Sequence, residues 1–225
     1  SFDVVNRFRI MVKQTIGLKK IKVGHTGTLD PKATGLLLLC TGRATKQIEQ
    51  LMLDRKEYVA TLKFGATTPS FDLEHPEDAH YPYEHITQGM LEEALREFLG
   101  TTLQVPPIFS AVSVGGKRAY DLARKGKDCQ LEGKPITIHE LEVVSFEPPY
   151  ATLRISCGKG TYIRSLARDL GERLQSGAYL TALRRTQLGN VRVEDSLTLA
   201  ELPDFLAHAE LNEEGFDPII PPASK

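Results

Sequence analysis

The chain has 225 residues, 41% of them hydrophobic and 25% charged, with a formal net charge of −1 and three cysteines. That composition excludes a disordered chain and a disulfide-stapled miniprotein, and no apolar run approaches the roughly 20 residues that cross a bilayer. Cys40, Cys129 and Cys157 are odd in number and far apart, which fits neither a metal spacing nor a disulfide framework; two sit inside apolar runs and read as buried thiols of a reducing compartment, so a cytoplasmic protein without a membrane partner is expected.

Ser1 is placed to cap a helix running to about Ile16, with Phe2, Val5, Phe8 and Val12 on one stripe and Gly17 as its stop. A loop rich in Gly and Thr follows from Gly24 to Thr34, and Gly35 to Thr41 reads as a buried strand. Ala44 to Asp54 has a helical pattern, and Glu57 to Phe64 alternates as a strand. Thr67 to Tyr83, rich in Pro, Asp, Glu and His, reads as a long loop. Thr87 caps a helix with Leu91, Ala94, Leu95 and Phe98 on one face, and Gly100 ends it. Prolines make Val105–Ala111 extended, and Arg118 to Lys125 reads as a short helix. Ile136–Phe146 and Tyr150–Cys157 are strands joined across Pro148-Pro149. Thr161 to Gln175 is helical through Ile163, Leu166, Ala167, Leu170 and Leu174; Leu183 to Val193 is a further strand. Thr198 and Glu201 form a capping box for a last short helix, and the charged tail after Glu210 is expected to be loosely ordered. Adjoining strands with helices interspersed predict an α+β fold: a mixed, mostly antiparallel central sheet flanked by helices, in one domain over 1–210 with a tail at 211–225.

The near-zero net charge hides a pattern. Successive blocks carry +7 (1–63), −7 (64–104), +3 (105–134), −3 (135–150), +6 (151–192) and −7 (193–225). Basic blocks that converge in space could hold phosphates while the molecule stays neutral overall. The chemistry-bearing motifs fall in those basic blocks.

The first is Gly24-His25-Thr26-Gly27-Thr28-Leu29-Asp30-Pro31-Lys32-Ala33-Thr34-Gly35, a shaped loop with one carboxylate in its middle. By itself an Asp-Pro pair is an ordinary turn signal. The whole string resembles the Gly-His-x-Gly-x-Leu-Asp-Pro-x-Ala-x-Gly signature of the TruB family of tRNA pseudouridine synthases. Further motifs agree in order: Lys56-Glu57-Tyr58, Gln104-Val105-Pro106-Pro107-Ile108-Phe109-Ser110-Ala111, Gly116–Tyr120, Cys157-Gly158-Lys159-Gly160-Thr161-Tyr162-Ile163-Arg164, and Leu183-Arg184-Arg185-Thr186 with Gly189. The resemblance runs from Ser1 to about Leu206. Phe109 stands where the family often has Tyr, Ser113 where Lys is expected, and a separate C-terminal PUA-type RNA-binding domain is not expected.

The resemblance implies an isomerase acting on the T-loop uridine at tRNA position 55, a monomer using neither metal nor cofactor. The reaction breaks N1–C1′ of uridine and joins C5 to C1′, so nothing is oxidised or hydrolysed. A carboxylate suits it as nucleophile or as partner of a cationic sugar, and uracil leaves as a delocalised anion without a second acid. Asp30 is the implied catalytic carboxylate. Arg164 would pair with it, keeping it ionised. Tyr58 would stack on a flipped base, Leu183 would floor its pocket, His25 would fill the space the base vacates, and Tyr162 completes the substrate-binding set. Lys19, Lys20, Lys22, Lys32, Arg43 and Lys46 flank the loop as phosphate contacts. Two other readings compete: a non-catalytic RNA-binding or tRNA-folding protein on the same scaffold, and a nucleoside or glycoside hydrolase needing a second acid that no motif segment supplies. Attack of Asp30 at C1′, its addition at uracil C6, and elimination through a glycal all remain open. His75, His80 and His85 match no metal-ligand spacing and read as solvated loop.

Overall fold

The computed structural model describes residues 1–17, 20–52, 55–110, 112–114, 116–120 and 131–209. Lys19, Cys129, residues 121–125 of the expected short helix and the charged tail lie outside them. The chain forms two compact units: Ser1–Asp54 with Arg185–Lys225, and Arg55–Arg184.

In the smaller unit a helix spans Phe2–Ile16, ended by Gly17 at φ 76 as expected. Val5 and Val12 are buried and this helix packs on a helix at Leu202–His208, but Phe2 is 70% exposed and so leaves the expected stripe. Ser1 does not cap: its side chain makes no cap bond, and its Oγ accepts from the Leu29 amide at 2.8 Å instead. The expected strand over Gly35–Thr41 splits into β2 (Thr34–Gly35) and β3 (Leu39–Thr41), with β3 antiparallel to β1 (Val23–His25). The following helical segment is a 3₁₀ turn at Gly42–Gln47 that passes into one α turn at Ile48–Leu51. Around the predicted capping box, Glu201 Oε2 accepts from both the amide and the hydroxyl of Thr198 at 2.7 Å.

The larger unit is a two-layer α+β arrangement. β4 (Lys56–Phe64) alternates strictly, burying Lys56, Tyr58, Ala60, Leu62 and Phe64. The loop after it, expected to lack structure, is closed by β5 (Ala66–Thr67) against β6 (Ala79–His80). The helix Gln88–Glu97 is capped by Thr87, whose Oγ accepts from the Met90 amide at 3.3 Å; Gly100 then opens β7 (Gly100–Gln104). β8 (Ser113–Val114) and β9 (Lys117–Arg118) pair with each other, so Arg118 ends a strand, and the expected helix starts one residue later, at Ala119 and Tyr120. β10 (Lys134–Glu147) and β11 (Tyr150–Cys157) form the expected antiparallel pair, turning at a cis Pro148-Pro149 bond. The sheet order is β12–β4–β11–β10–β7, where β12 (Ala178–Leu188) begins five residues before the predicted strand and passes into the smaller unit at Arg185.

One sheet face is buried because its residues repeat every second position. Tyr58 pairs with Ile155, Ala60 with Leu153 and Leu62 with Ala151. Leu91, Ala94 and Leu95 of the Gln88–Glu97 helix join Ile163, Leu166, Ala167 and Leu170 of a second helix, Ile163–Arg173, in the same core. Burial pushes the Cys157 thiol up to about 11, which leaves it protonated and inert at neutral pH. No helix among the described residues is long and apolar enough to cross a membrane. Gly35, in the smaller unit, must be glycine: at φ 99 a Cβ there would lie 2.2 Å from the Arg185 carbonyl oxygen.

Candidate active site

The carboxylate loop is a tied structure. Asp30 opens a turn in which its carbonyl accepts from the Ala33 amide at 3.0 Å, with Pro31 supplying the fixed φ that such turns favour. Asp30 is half-buried. Arg185 holds the loop from beneath. It is 1% exposed, the largest fully buried side chain among the described residues. Its Nε donates to Leu36 O at 2.8 Å and its Nη2 to Gly27 O at 3.2 Å, while its own backbone carbonyl accepts from the Leu36 amide at 2.9 Å. A planar fork reaches two separated carbonyls at once in a fixed geometry, which a lysine's compact ammonium does not provide.

His25 sits at the start of this loop on β1. Burial chiefly, with the positive charge of Arg185, holds its pKa below the ordinary histidine value, against one Gly27 backbone hydrogen bond. Its unfolded form therefore takes up a proton first as pH falls. The stability it contributes is complete above about pH 6.5 and is lost as pH drops through the lowered folded value. Chemical unfolding at pH 7.5 and at pH 5.5 should show a shallower acid loss for His25→Gln than for the wild type; identical slopes would refute this assignment. Lys20, Lys22, Lys32, Arg43 and Lys46 are all exposed in this unit.

The other predicted residues belong to the larger unit. Tyr58 lies on the core face of β4 and is 8% exposed; Leu183, on β12, is partly buried against the same core. Tyr162 precedes the Ile163–Arg173 helix, and its amide donates to Gln104 Oε1 at 2.8 Å. The proline segment is fastened along that helix: Val105 O accepts from Ser165 Oγ at 2.8 Å and from Arg168 Nη2 at 2.9 Å.

Arg164 is 4% exposed, not the surface arginine its helical position would suggest. Nη2 donates to Phe109 O at 3.0 Å and Nη1 to Ser70 O at 3.3 Å. Its Nε lies 3.7 Å from Asp72 Oδ2, an ion-pair distance rather than a hydrogen bond. Asp72 is the buried partner of Arg164 that sequence reasoning missed. It sits in the acidic segment read as plain loop and is 5% exposed. Its Oδ1 accepts from Ser70 Oγ at 2.6 Å and from the Glu74 amide at 2.9 Å. The only local hint was a Thr-x-Ser-x-Asp spacing, in which Thr68 Oγ1 bridges the Asp72 amide and carbonyl at 3.0 and 2.8 Å. Between them Phe71 takes φ 57, a conformation that costs a non-glycine residue of order 1–3 kcal/mol. It is held there by the Leu180 amide donating to its carbonyl at 3.0 Å and by Arg168 lying 5.5 Å over its ring. His75 also departs from its expected solvated place: its ring centroid is 4.7 Å from that of Phe109.

The TruB family pseudouridylate synthase N-terminal domain model matches residues 13–163, and the tRNA pseudouridylate synthase B C-terminal domain model matches 164–225. The chain belongs to the TruB family of pseudouridylate synthases. It is 55% identical over 213 residues to the tRNA pseudouridine synthase B of Phocaeicola vulgatus, covering 95% of this chain and 91% of that protein. To the protein of that name from Bacteroides thetaiotaomicron it is 54% identical, over 95% and 91% of the two chains. A chain from a Cbf5–Nop10–Gar1 complex superposes with a TM-score of 0.62 at 29% identity, covering 87% of this chain and 49% of that one. A chain from an H/ACA RNP bound to a substrate RNA containing 2′-deoxyuridine gives the same TM-score at 25% identity, with 89% and 49% covered. This TruB chain thus spans about half the length of those solved chains. As a TruB-family pseudouridine synthase, the protein is an isomerase.

Proposed function

We propose that this isomerase acts on tRNA, converting the T-loop uridine at position 55 to pseudouridine with Asp30 as its catalytic carboxylate. The observation that carries the reading is the Asp30 loop: an uninterrupted family signature, folded as a turn and tied down by Ser1, Arg185 and Leu36. High identity to proteins named tRNA pseudouridine synthase B supports tRNA as the substrate class. The uridine is flipped out of its stack, since its C1′ and C5 are otherwise out of reach. In this reading Tyr58 and Leu183 receive the base, His25 fills its vacancy, Tyr162 completes the pocket and Arg164 supplies positive charge. The exposed Lys20, Lys22, Lys32, Arg43 and Lys46 hold phosphates, joined by Lys19 from outside the described residues.

All three chemical routes replace the hydrogen on C5 by the bond to C1′, so tritium release from [5-³H]uridine reads each of them. The test is release by the wild type from a T-loop stem-loop labelled at position 55, beside a stem-loop labelled elsewhere. Release confined to the first supports the reading. Tight binding of both without release would refute it in favour of a non-catalytic RNA-binding protein, and free uracil would indicate a hydrolase.

A further inference from the structure

We propose that His75 is a positioning residue: through Ser70 and Asp72 it sets the geometry of the Arg164 guanidinium and so the rate of the uridine isomerisation, a reading that rests on the function proposed above. His75 lies in the acidic segment after β5, outside every motif that carries the family resemblance.

The connection is a continuous chain of polar atoms. His75 Nδ1 lies 2.9 Å from Ser70 Oγ. Ser70 Oγ donates to Asp72 Oδ1 at 2.6 Å. The other carboxylate oxygen of Asp72 faces Arg164 Nε at 3.7 Å, and Arg164 Nη1 returns to the Ser70 carbonyl at 3.3 Å. Ser70, Asp72 and Arg164 are at most 5% exposed, so water competes little for these bonds. Phe109 closes the circuit: its carbonyl accepts from Arg164 Nη2 at 3.0 Å, and its ring packs on His75 at 4.7 Å between centroids.

The hydrogens can be assigned by counting. A serine hydroxyl has one hydrogen. Ser70 spends it on Asp72, so toward His75 it can only accept, and Nδ1 of His75 must carry a hydrogen. That N–H holds the Ser70 hydroxyl in the rotamer aimed at Asp72. Without it the hydroxyl is free to turn to another staggered position, and Oδ1 keeps only the Glu74 amide among these partners. The carboxylate then loses its fixed orientation toward Arg164. Arg164 stays charged and buried; what changes is its placement. A positioning error slows the chemical step without weakening RNA binding.

Packing and hydrogen bonding at His75 make opposite predictions for two substitutions. His75→Phe keeps a ring against Phe109 and removes the donor. His75→Asn removes the ring and keeps an N–H donor near the place of Nδ1. Single-turnover tritium release, RNA affinity by filter binding and thermal midpoint should be measured for both, with Ser70→Ala and the wild type. The expectation is a rate about 10-fold lower for His75→Phe, the scale of one hydrogen bond acting on a charged group, with affinity and midpoint unchanged. His75→Asn should recover to within about twofold of the wild type, and Ser70→Ala should lose about as much as His75→Phe although the His75 ring stays in place. A His75→Phe rate equal to the wild type would overturn the proposal. So would an equal loss in His75→Asn, or a slowing that follows the thermal midpoint. Should His75→Phe fail to fold, Ser70→Ala decides, and a wild-type rate there overturns it. An inactive wild type would refute the underlying function, and that outcome is visible before any variant is compared.

Discussion

Asp30→Ala is expected to abolish tritium release from the T-loop stem-loop, by about a thousandfold or more, while RNA affinity stays within a few-fold of the wild type. The size follows from the chemistry. Whether the carboxylate attacks C1′, adds at uracil C6 or takes part in elimination through a glycal, the proposed role needs a carboxylate at the reacting atoms, and no neutral side chain replaces that. In the proposed reading, binding draws instead on the exposed cations around the loop, which the substitution leaves alone. Asp30→Asn sharpens the test. It keeps the shape of the side chain and the turn, whose closing bond uses the Asp30 carbonyl and the Ala33 amide. Loss in both variants assigns the effect to charge. An Asp30→Asn rate above about a tenth of the wild type would rule Asp30 out as the catalytic carboxylate.

Asp72→Ala should damage both stability and turnover. Asp72 and Arg164 are an ion pair with 7% and 5% of their side-chain surfaces exposed. Breaking a buried ion pair by removing one member costs about 3 kcal/mol or more. Ser70 Oγ and the Glu74 amide lose their acceptor in the same step. For a chain of this size that corresponds to a fall of about 6–12 °C in thermal midpoint. Turnover should fall about 100-fold as Arg164 loses its fixed geometry. Asp72→Asn, which retains an acceptor, should lose less on both counts. Calorimetry and single-turnover assays check this, and a midpoint within about 2 °C of the wild type would show that the pair contributes nothing.

Much of this molecule is legible residue by residue. The 3.6-residue period places the helices at Phe2–Ile16, Gln88–Glu97 and Ile163–Arg173, and strict alternation places β4. The turn at Asp30 follows from Asp-Pro chemistry acting over four residues. Where a competing partner existed, the tertiary contact prevailed over the local pattern. Ser1 looked like a cap and instead binds Leu29, and the Gly35–Thr41 run was interrupted because Leu36 pairs with Arg185.

By itself, then, the sequence determined the α+β class, the carboxylate loop and the family. Each depends on period, turn residues or an ordered string, all of which act over a few neighbouring positions. Only the tertiary structure decided what those pieces hold on to. Arg185 reaches a carbonyl 149 residues away, and Arg164 one 94 residues away. Asp72 and His75, solvated loop by composition, become buried pair and packed strut. Such partnerships are settled by which polar groups must be satisfied once the apolar face is buried, a constraint that exists only after the chain has closed on itself.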